Sequence, residues 1–168
     1  MEEEITVPAE EWELRVQALM AGFRETGLRL THQRLEIIRE IAGNDSHPDV
    51  ETLYRGVRRR VPTVSLDTVY RMVSSLTERG LIDRVTGVPA PARYDGNPFP
   101  HHHFICNRCS RVIDIHDPGL DAMALQSQAE APGDVQSIQI QFRGTCETCR
   151  QAPATAQEDA HRVRGKRG

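Results

Sequence analysis

The strongest constraint on this 168-residue chain is its cysteine pattern, Cys106-x2-Cys109 and Cys146-x2-Cys149, with no cysteine elsewhere. Two thiolates at this spacing in a tight turn occupy two corners of a tetrahedron, and a second pair completes a four-thiolate structural Zn(2+) site. Residues 110–145 lie between the pairs, a longer separation than in common zinc ribbons, so strands in that interval must bring the two turns together. A redox dithiol and inert buried thiols are the other uses of such a pattern. The start, Met1-Glu-Glu-Glu, is acidic, the opposite of a secretory leader, and no apolar run approaches the ~18–20 residues of a membrane span. The expected compartment is therefore the cytoplasm, with no membrane association and with reduced thiols.

Charge is uneven along the chain. The formal net charge is −3, and it is concentrated in residues 1–19, where six glutamates face one arginine. Bulk charge this close to neutral, with a pI near 6.2, does not by itself mark a nucleic-acid binder. A local patch, Arg55, Arg58, Arg59 and Arg60, is basic enough to meet phosphates, although such a cluster is also an ordinary solvated helix face.

Helical patterning dominates the first half. Glu11 to Arg24 places Trp12, Val16, Leu19, Met20 and Phe23 on one side and ends at Gly27. Thr31 caps a second helix, Gln33 to Ala42, with Leu35, Ile38, Ile41 and Ala42 inward. A third runs from Val50 to Arg60 and stops before Pro62. The fourth, capped by Ser65 and ended by Gly80, places Leu66, Val69, Val73 and Leu76 within one arc of roughly 80°. Leu81–Thr86 and Ala92–Asp95 then read as a short hairpin. Helices followed by such a hairpin are the order of a winged helix-turn-helix, whose last helix enters a DNA major groove.

Beyond Gly96-Asn-Pro-Phe-Pro100 the period changes to that of strands: Phe104–Ile105, Arg111–His116 and Ser137–Arg143, with a short helix over Pro118–Glu130. The expected architecture is α+β. A winged-helix DNA-binding domain occupies 1–95 with an acidic extension at 1–10, and a hinge lies at 96–100. A small α/β dimerisation domain holding metal occupies 101–150, and a disordered tail covers 151–168.

A second cluster precedes the first cysteine pair. In an extended segment alternate residues share a face, so His101 and His103 converge while His102 points away. Asp95 ends the hairpin and Asp114 sits on the strand after Cys109. Mixed imidazole and carboxylate donors suit Fe, Mn or Zn, whereas thiolates select softer ions. His47, alone in a His-Pro turn, reads from spacing as a surface residue.

The motifs Thr31-His-Gln-Arg34, His47-Pro-x-x-Glu51-x-x-Tyr54, Thr68-Val-Tyr-Arg71, Arg93-Tyr-Asp95, His101-His-His-Phe-Ile-Cys106-x-x-Cys109, Val112-Ile-Asp114 and Cys146-x-x-Cys149 closely resemble the ferric uptake regulator family, in order, over residues 15–150. The resemblance implies a homodimeric, metal-dependent repressor binding a palindromic double-stranded DNA operator. It implies structural zinc on Cys106, Cys109, Cys146 and Cys149. It also implies a regulatory Fe(2+) or Mn(2+) site at His47, Asp95, His101, His103 and Asp114, the ligand pattern of the family's peroxide-sensing branch, and so raises His47 from turn residue to ligand. The iron-uptake branch usually has Glu in place of Asp114 and a further His where this chain has Ile138. The zinc-uptake branch needs an additional Cys. Two departures are His32 for the usual Pro and the extra imidazole of His102.

The implied function is repression released by peroxide, through Fe(II)-dependent oxidation of His47 or His101, without turnover. DNA contacts are expected from Ser65, Thr68, Tyr70 and Arg71. An iron-responsive repressor of metal uptake is the nearest alternative, and a metalloenzyme using the His/Asp cluster a remote one, since no spare general base accompanies the cluster.

Overall fold

The structure, a computed structural model, describes residues 7–129, 131, 133 and 138–151. Four helices come first: α1 (Ala9–Glu25), α2 (His32–Ala42), α3 (Val50–Arg60) and α4 (Leu66–Glu78). The hairpin β1 (Asp83–Arg84) and β2 (Tyr94–Asp95) follows, then β3 (His102–Cys106), β4 (Val112–Ile115), α5 (Pro118–Ala129), β5 (Gln141–Gly144) and α6 (Glu147–Gln151).

The helix ends follow from local chemistry. Thr31, Asp49 and Ser65 each accept the backbone N–H three residues ahead, capping α2, α3 and α4. His32 takes the first position of α2. Gly27 and Gly80 adopt φ of +71° and +66°, the left-handed conformation that turns the chain away after α1 and α4. One core joins Leu19 and Phe23 of α1, Ile37, Ile38 and Ile41 of α2, Leu53 and Val57 of α3, and Val69, Val73 and Leu76 of α4, closed by Ile82. With the antiparallel β1–β2 hairpin this is a winged helix.

The second unit is a three-stranded sheet in the order β4-β3-β5. β4 returns antiparallel to β3, and β5 lies parallel to β3, the long connection through α5 that a parallel pair requires. The α+β class and the element order agree with expectation, but several details do not. The strand read over Ser137–Arg143 is shorter and shifted: β5 begins at Gln141 and reaches Gly144, while residues 138–140 are outside any strand and Ser137 lies outside the described residues. The alternation misled because Ile138 and Ile140 are only half-buried and Phe142 is 40% exposed, on a sheet face left open among the described residues.

Leu66 is 42% exposed although its phase matched the core stripe of α4, because the first helical residue lies beyond the edge of the core. Met72 fills the stripe instead. α1 begins two residues early, so Ala9 and Glu10 are helical and not part of an acidic extension, while residues 1–6 lie outside the described residues. Gln151 is the last residue of α6, and the tail expected after it, residues 152–168, also lies outside them. Among the described residues no helix is long and apolar enough to cross a membrane.

Candidate metal centre

Among the described residues two clusters of ligand-type side chains form. The first gathers Cys106, Cys109, Cys146 and Cys149, whose sulfurs all lie within 4.8 Å of one another as free thiols. Cys106 ends β3 and Cys109 closes the turn after it, while Cys146 and Cys149 frame the start of α6, a short helix the sequence did not signal. A tetrahedron with metal–sulfur bonds of ~2.3 Å has edges of about 3.8 Å, and Cys109 Sγ lies 3.8 Å from Cys146 Sγ. Backbone N–H groups of Arg108 and Cys146 donate to Cys106 Sγ at 3.4 and 3.3 Å. Burial opposes ionisation of Cys106, but these donors overcome it and bring the thiol down to about 6. Hydrogen bonding with Cys109 and Cys146 pushes Cys149 up to about 12, so without an ion the cluster shares its protons unevenly.

The second cluster draws on four separate stretches of chain. His47 comes from the α2–α3 turn, where it holds φ of +52°. That conformation is uncommon for a non-glycine residue. Several bonds hold the turn there: Arg15, 2% exposed, pairs with Asp45 Oδ1 at 2.6 Å, and Arg93 Nη1 donates to the His47 carbonyl at 3.3 Å. Asp95 ends β2, His101 and His103 flank the start of β3, and Asp114 lies on β4 directly across from His103.

The ligand atoms of His47, Asp95, His101 and His103 all fall within 4.8 Å of one another, and all four residues are buried. His103 Nε2 is 3.1 Å from both His47 Nε2 and His101 Nε2. Asp95 Oδ2 is 2.7 Å from His101 Nε2, and Asp114 Oδ1 is 2.9 Å from His47 Nε2 and 3.6 Å from His103 Nε2. Four of the five residues anticipated from the sequence form one mutually close group, and Asp114 lies at its edge beside His47 and His103.

Their hydrogen bonding suits an ion. His101 Nδ1 lies 2.7 Å from the Phe99 carbonyl, which only accepts, so Nδ1 carries a proton and Nε2 is the atom turned inward, where it meets Asp95. Three imidazole nitrogens at such separations repel unless a proton or cation lies among them, and among the described residues the ion-pair partners of Asp95 Oδ2 and Asp114 Oδ1 are these same imidazoles. Nitrogen ligands ~2.1 Å from an ion and at right angles are about 3.0 Å apart, close to the observed 3.1 Å. Burial opposes the charge on Asp95, but hydrogen bonds from His101 and His103 hold its carboxyl well below the usual carboxylate range. Burial likewise disfavours the His101 cation, yet the bond to Asp95 pushes His101 up to about 9.

The segment 96–100 is hydrogen-bonded rather than loose. Asp95 Oδ1 accepts from Asn97 N–H and Asn97 Oδ1 from Phe99 N–H, a pair of Asx turns that orient Asp95 and deliver His101. His102 faces the other way, as alternation required. Its Nδ1 accepts the Ile140 N–H and its Nε2 faces Asp121 Oδ1 at 3.2 Å, a partner the sequence did not indicate.

The residues expected at DNA sit on the outer side of α4. Tyr70 is 58% exposed, and Arg71 pairs with Asp67 at 3.0 Å. Ser65 and Thr68 share a 2.8 Å hydroxyl contact at the cap. Exposed Leu66, missed because its phase looked like core, joins them. In the basic cluster of α3, Arg60 turns back to Glu36 and Glu40 at 2.7 Å each, so the patch is smaller than the sequence suggested.

Residues 25–143 match the profile described as the ferric uptake regulator family. The chain is 32% identical over 127 residues to the peroxide operon regulator of Bacillus subtilis, covering 75% of this chain and 87% of that one. It is 29% identical to the peroxide-responsive repressor PerR of Staphylococcus epidermidis, covering 79% and 88%. The fold matches the solved Helicobacter pylori ferric uptake regulator Fur with a TM-score of 0.65 at 20% identity, covering 85% and 96%.

Proposed function

The chain belongs to the ferric uptake regulator family, metal-responsive transcriptional regulators rather than enzymes, and we propose that it is a repressor released from DNA by peroxide. The observation that carries this is the convergence of His47, Asp95, His101 and His103 with Asp114 at their edge, two carboxylates and three imidazoles with no thiolate among them. Hard and borderline donors of this kind favour Fe(II) or Mn(II). The separate Cys106, Cys109, Cys146 and Cys149 cluster suits Zn(II) as a structural ion.

The ligands come from both sides of the junction at 96–100. His47 and Asp95 belong to the winged helix, and His101, His103 and Asp114 to the sheet. A shared ion therefore favours one angle between the two units. In a dimer that angle sets the spacing of the two α4 helices, which must match successive major grooves about 34–36 Å apart. Driving such an equilibrium from 1:99 to 99:1 takes about 5.5 kcal/mol of differential affinity, a demand within reach of five ligands closing on one ion. Dimerisation is supported by the uncovered sheet face, where Ile113 and Phe142, each 40% exposed, flank Phe104 in one row across β4, β3 and β5. α4 would then read a palindromic operator through Tyr70 and Arg71, with Ser65 and Thr68 at its cap.

Fe(II), when bound, would supply the electron that opens the peroxide O–O bond and take one back from the oxidised ring. The chain would supply the target: His47 and His101 are buried among the ligand residues, and one oxygen entering a ring C–H bond, with water as the other product, would weaken a ligand and free the junction. Similarity to two peroxide-named regulators and the aspartate at 114 favour this trigger over iron alone. The test is DNA binding by Fe(II)-loaded protein before and after peroxide, followed by mass analysis. Loss of binding with one oxygen gained on the His47 or His101 peptide supports the reading. Retention of binding at equal peroxide leaves an iron-responsive repressor.

A further inference from the structure

The loop between β1 and β2, the wing, does not project freely. Val85 is 3% exposed and packs with Ile105 of β3 and Val112 of β4, with Val88 at the edge. Three side chains from alternate positions at and before β5 grip the same hairpin. Gln139 Nε2 donates to Asp83 Oδ2 at 3.0 Å, and Gln141 Nε2 donates to the Thr86 carbonyl and hydroxyl at 3.2 and 3.0 Å. Arg143 donates through both terminal nitrogens to the Gly87 carbonyl at 3.1 and 3.2 Å. Alternation places Phe142 on the opposite face. The register sets Gln141 beside His103 and Gly144 beside Cys106, so the gripping strand runs next to one cluster and into the other.

We propose that Gln139, Gln141 and Arg143 are positioning residues that clamp the wing to the sheet and thereby hold the His/Asp cluster assembled before an ion arrives. This rests on the reading of that cluster as a metal site. None of the three side chains offers an atom to the cluster, so the clamp acts only through geometry. Asp95 lies on the wing strand and His103 on the sheet, and an open wing carries Asp95 away from His103. An ion that needs both binds only the closed arrangement, so its apparent affinity falls with the closed fraction. The wing contact and the ion favour the same state and reinforce each other.

The experiment uses full-length, zinc-loaded protein and Mn(II) alone as the probe. In the Gln141→Ala/Arg143→Ala double variant, Mn(II) binding is expected to weaken about tenfold, the scale of one to two net hydrogen bonds. Zinc content and oligomeric state should not change. In metal-free protein, amide hydrogen exchange across residues 85–94 should quicken in the same variant. Arg143→Lys, which keeps one donor for the Gly87 carbonyl, should recover part of both effects. An unchanged Mn(II) midpoint, or unchanged exchange in the wing, overturns the clamp while leaving the metal site standing. If the unaltered protein binds no Mn(II), or binds it equally well as His103→Ala, the metal-site reading fails and the clamp's role fails with it.

Discussion

His47 Nε2 stands 2.9 Å from Asp114 Oδ1, although His47 belongs to the turn between α2 and α3 and Asp114 to the far strand of the sheet. Burial opposes the Asp114 charge, but His47 lowers its pKa through a hydrogen bond and its charge. This contact ties the helical unit directly to the strand unit. An ion held between the two side chains would bear on how the units sit, which supports the proposal that regulation is located here and not at the thiolates.

The thiolate cluster makes a separate prediction. It joins the turn after β3 to the start of α6, so its binding energy is largely folding energy. Cys106→Ser or Cys149→Ser should lose zinc and the dimer together, measured by metal analysis and sedimentation. A stable, fully dimeric Cys106→Ser protein without zinc would show that the cluster is not structural.

For DNA, the relevant comparison is between two energies at Arg71. Its exposed pair with Asp67 is an i,i+4 contact worth roughly 0.3–0.5 kcal/mol, whereas a bidentate base contact is worth about 1–3 kcal/mol. The base contact wins, so Asp67 presents Arg71 without withholding it. Arg71→Ala should reduce operator discrimination roughly 5- to 150-fold, the same 1–3 kcal/mol, with metal content and dimer unchanged. Equal losses on operator and random duplexes would reduce Arg71 to a phosphate contact.

Much of this layout was legible because it is local. The period of α4, the caps at Thr31 and Ser65, and the cysteine spacing each depend on neighbours within a few residues. His47 was not legible from spacing, since its role depends on a strand more than fifty residues away, and only family resemblance marked it. Glu36 is a second case. A helical period treats it as a solvent-facing acid, yet it is 5% exposed, because Arg60 from α3 and Arg39 reach it at 2.7 and 2.8 Å. Leu66 and the start of β5 misled for the opposite reason, being apolar positions that no second layer covers among the described residues.

Glu36 also sets a pH dependence. Burial raises its pKa, but hydrogen bonds from Arg60 and Arg39 more than offset this, leaving it below the ordinary 4.5. A depressed folded pKa contributes stability that is complete above the unfolded value and is lost as pH falls through the folded one. Glu36→Gln should therefore be less stable than the parent at neutral pH, by about 1–3 kcal/mol. The gap should narrow below pH ~4.5. Urea unfolding midpoints across pH 3–7 measure it, and a gap independent of pH would mean that packing, not charge, holds Glu36.

On the proposed reading, the carboxylate at 114 would separate the two triggers. Asp114 reaches the imidazoles from β4 with a short side chain, its oxygen 2.9 Å from His47 and 4.0 Å from His101. One more methylene would let Glu reach further around a bound ion and hinder the approach of peroxide. Asp114→Glu should keep metal-dependent DNA binding while lowering peroxide sensitivity, read as the peroxide concentration for half-release. Mn(II)-loaded protein should resist peroxide at levels that release the Fe(II)-loaded form, because Mn(II) does not readily give up the electron. Thiol oxidation competes with this account, so zinc retention and cysteine masses must be followed in the same samples. Oxygen found only on the zinc-cluster cysteines, or equal release of the Fe(II)- and Mn(II)-loaded forms, rejects the histidine mechanism and leaves iron itself as the signal.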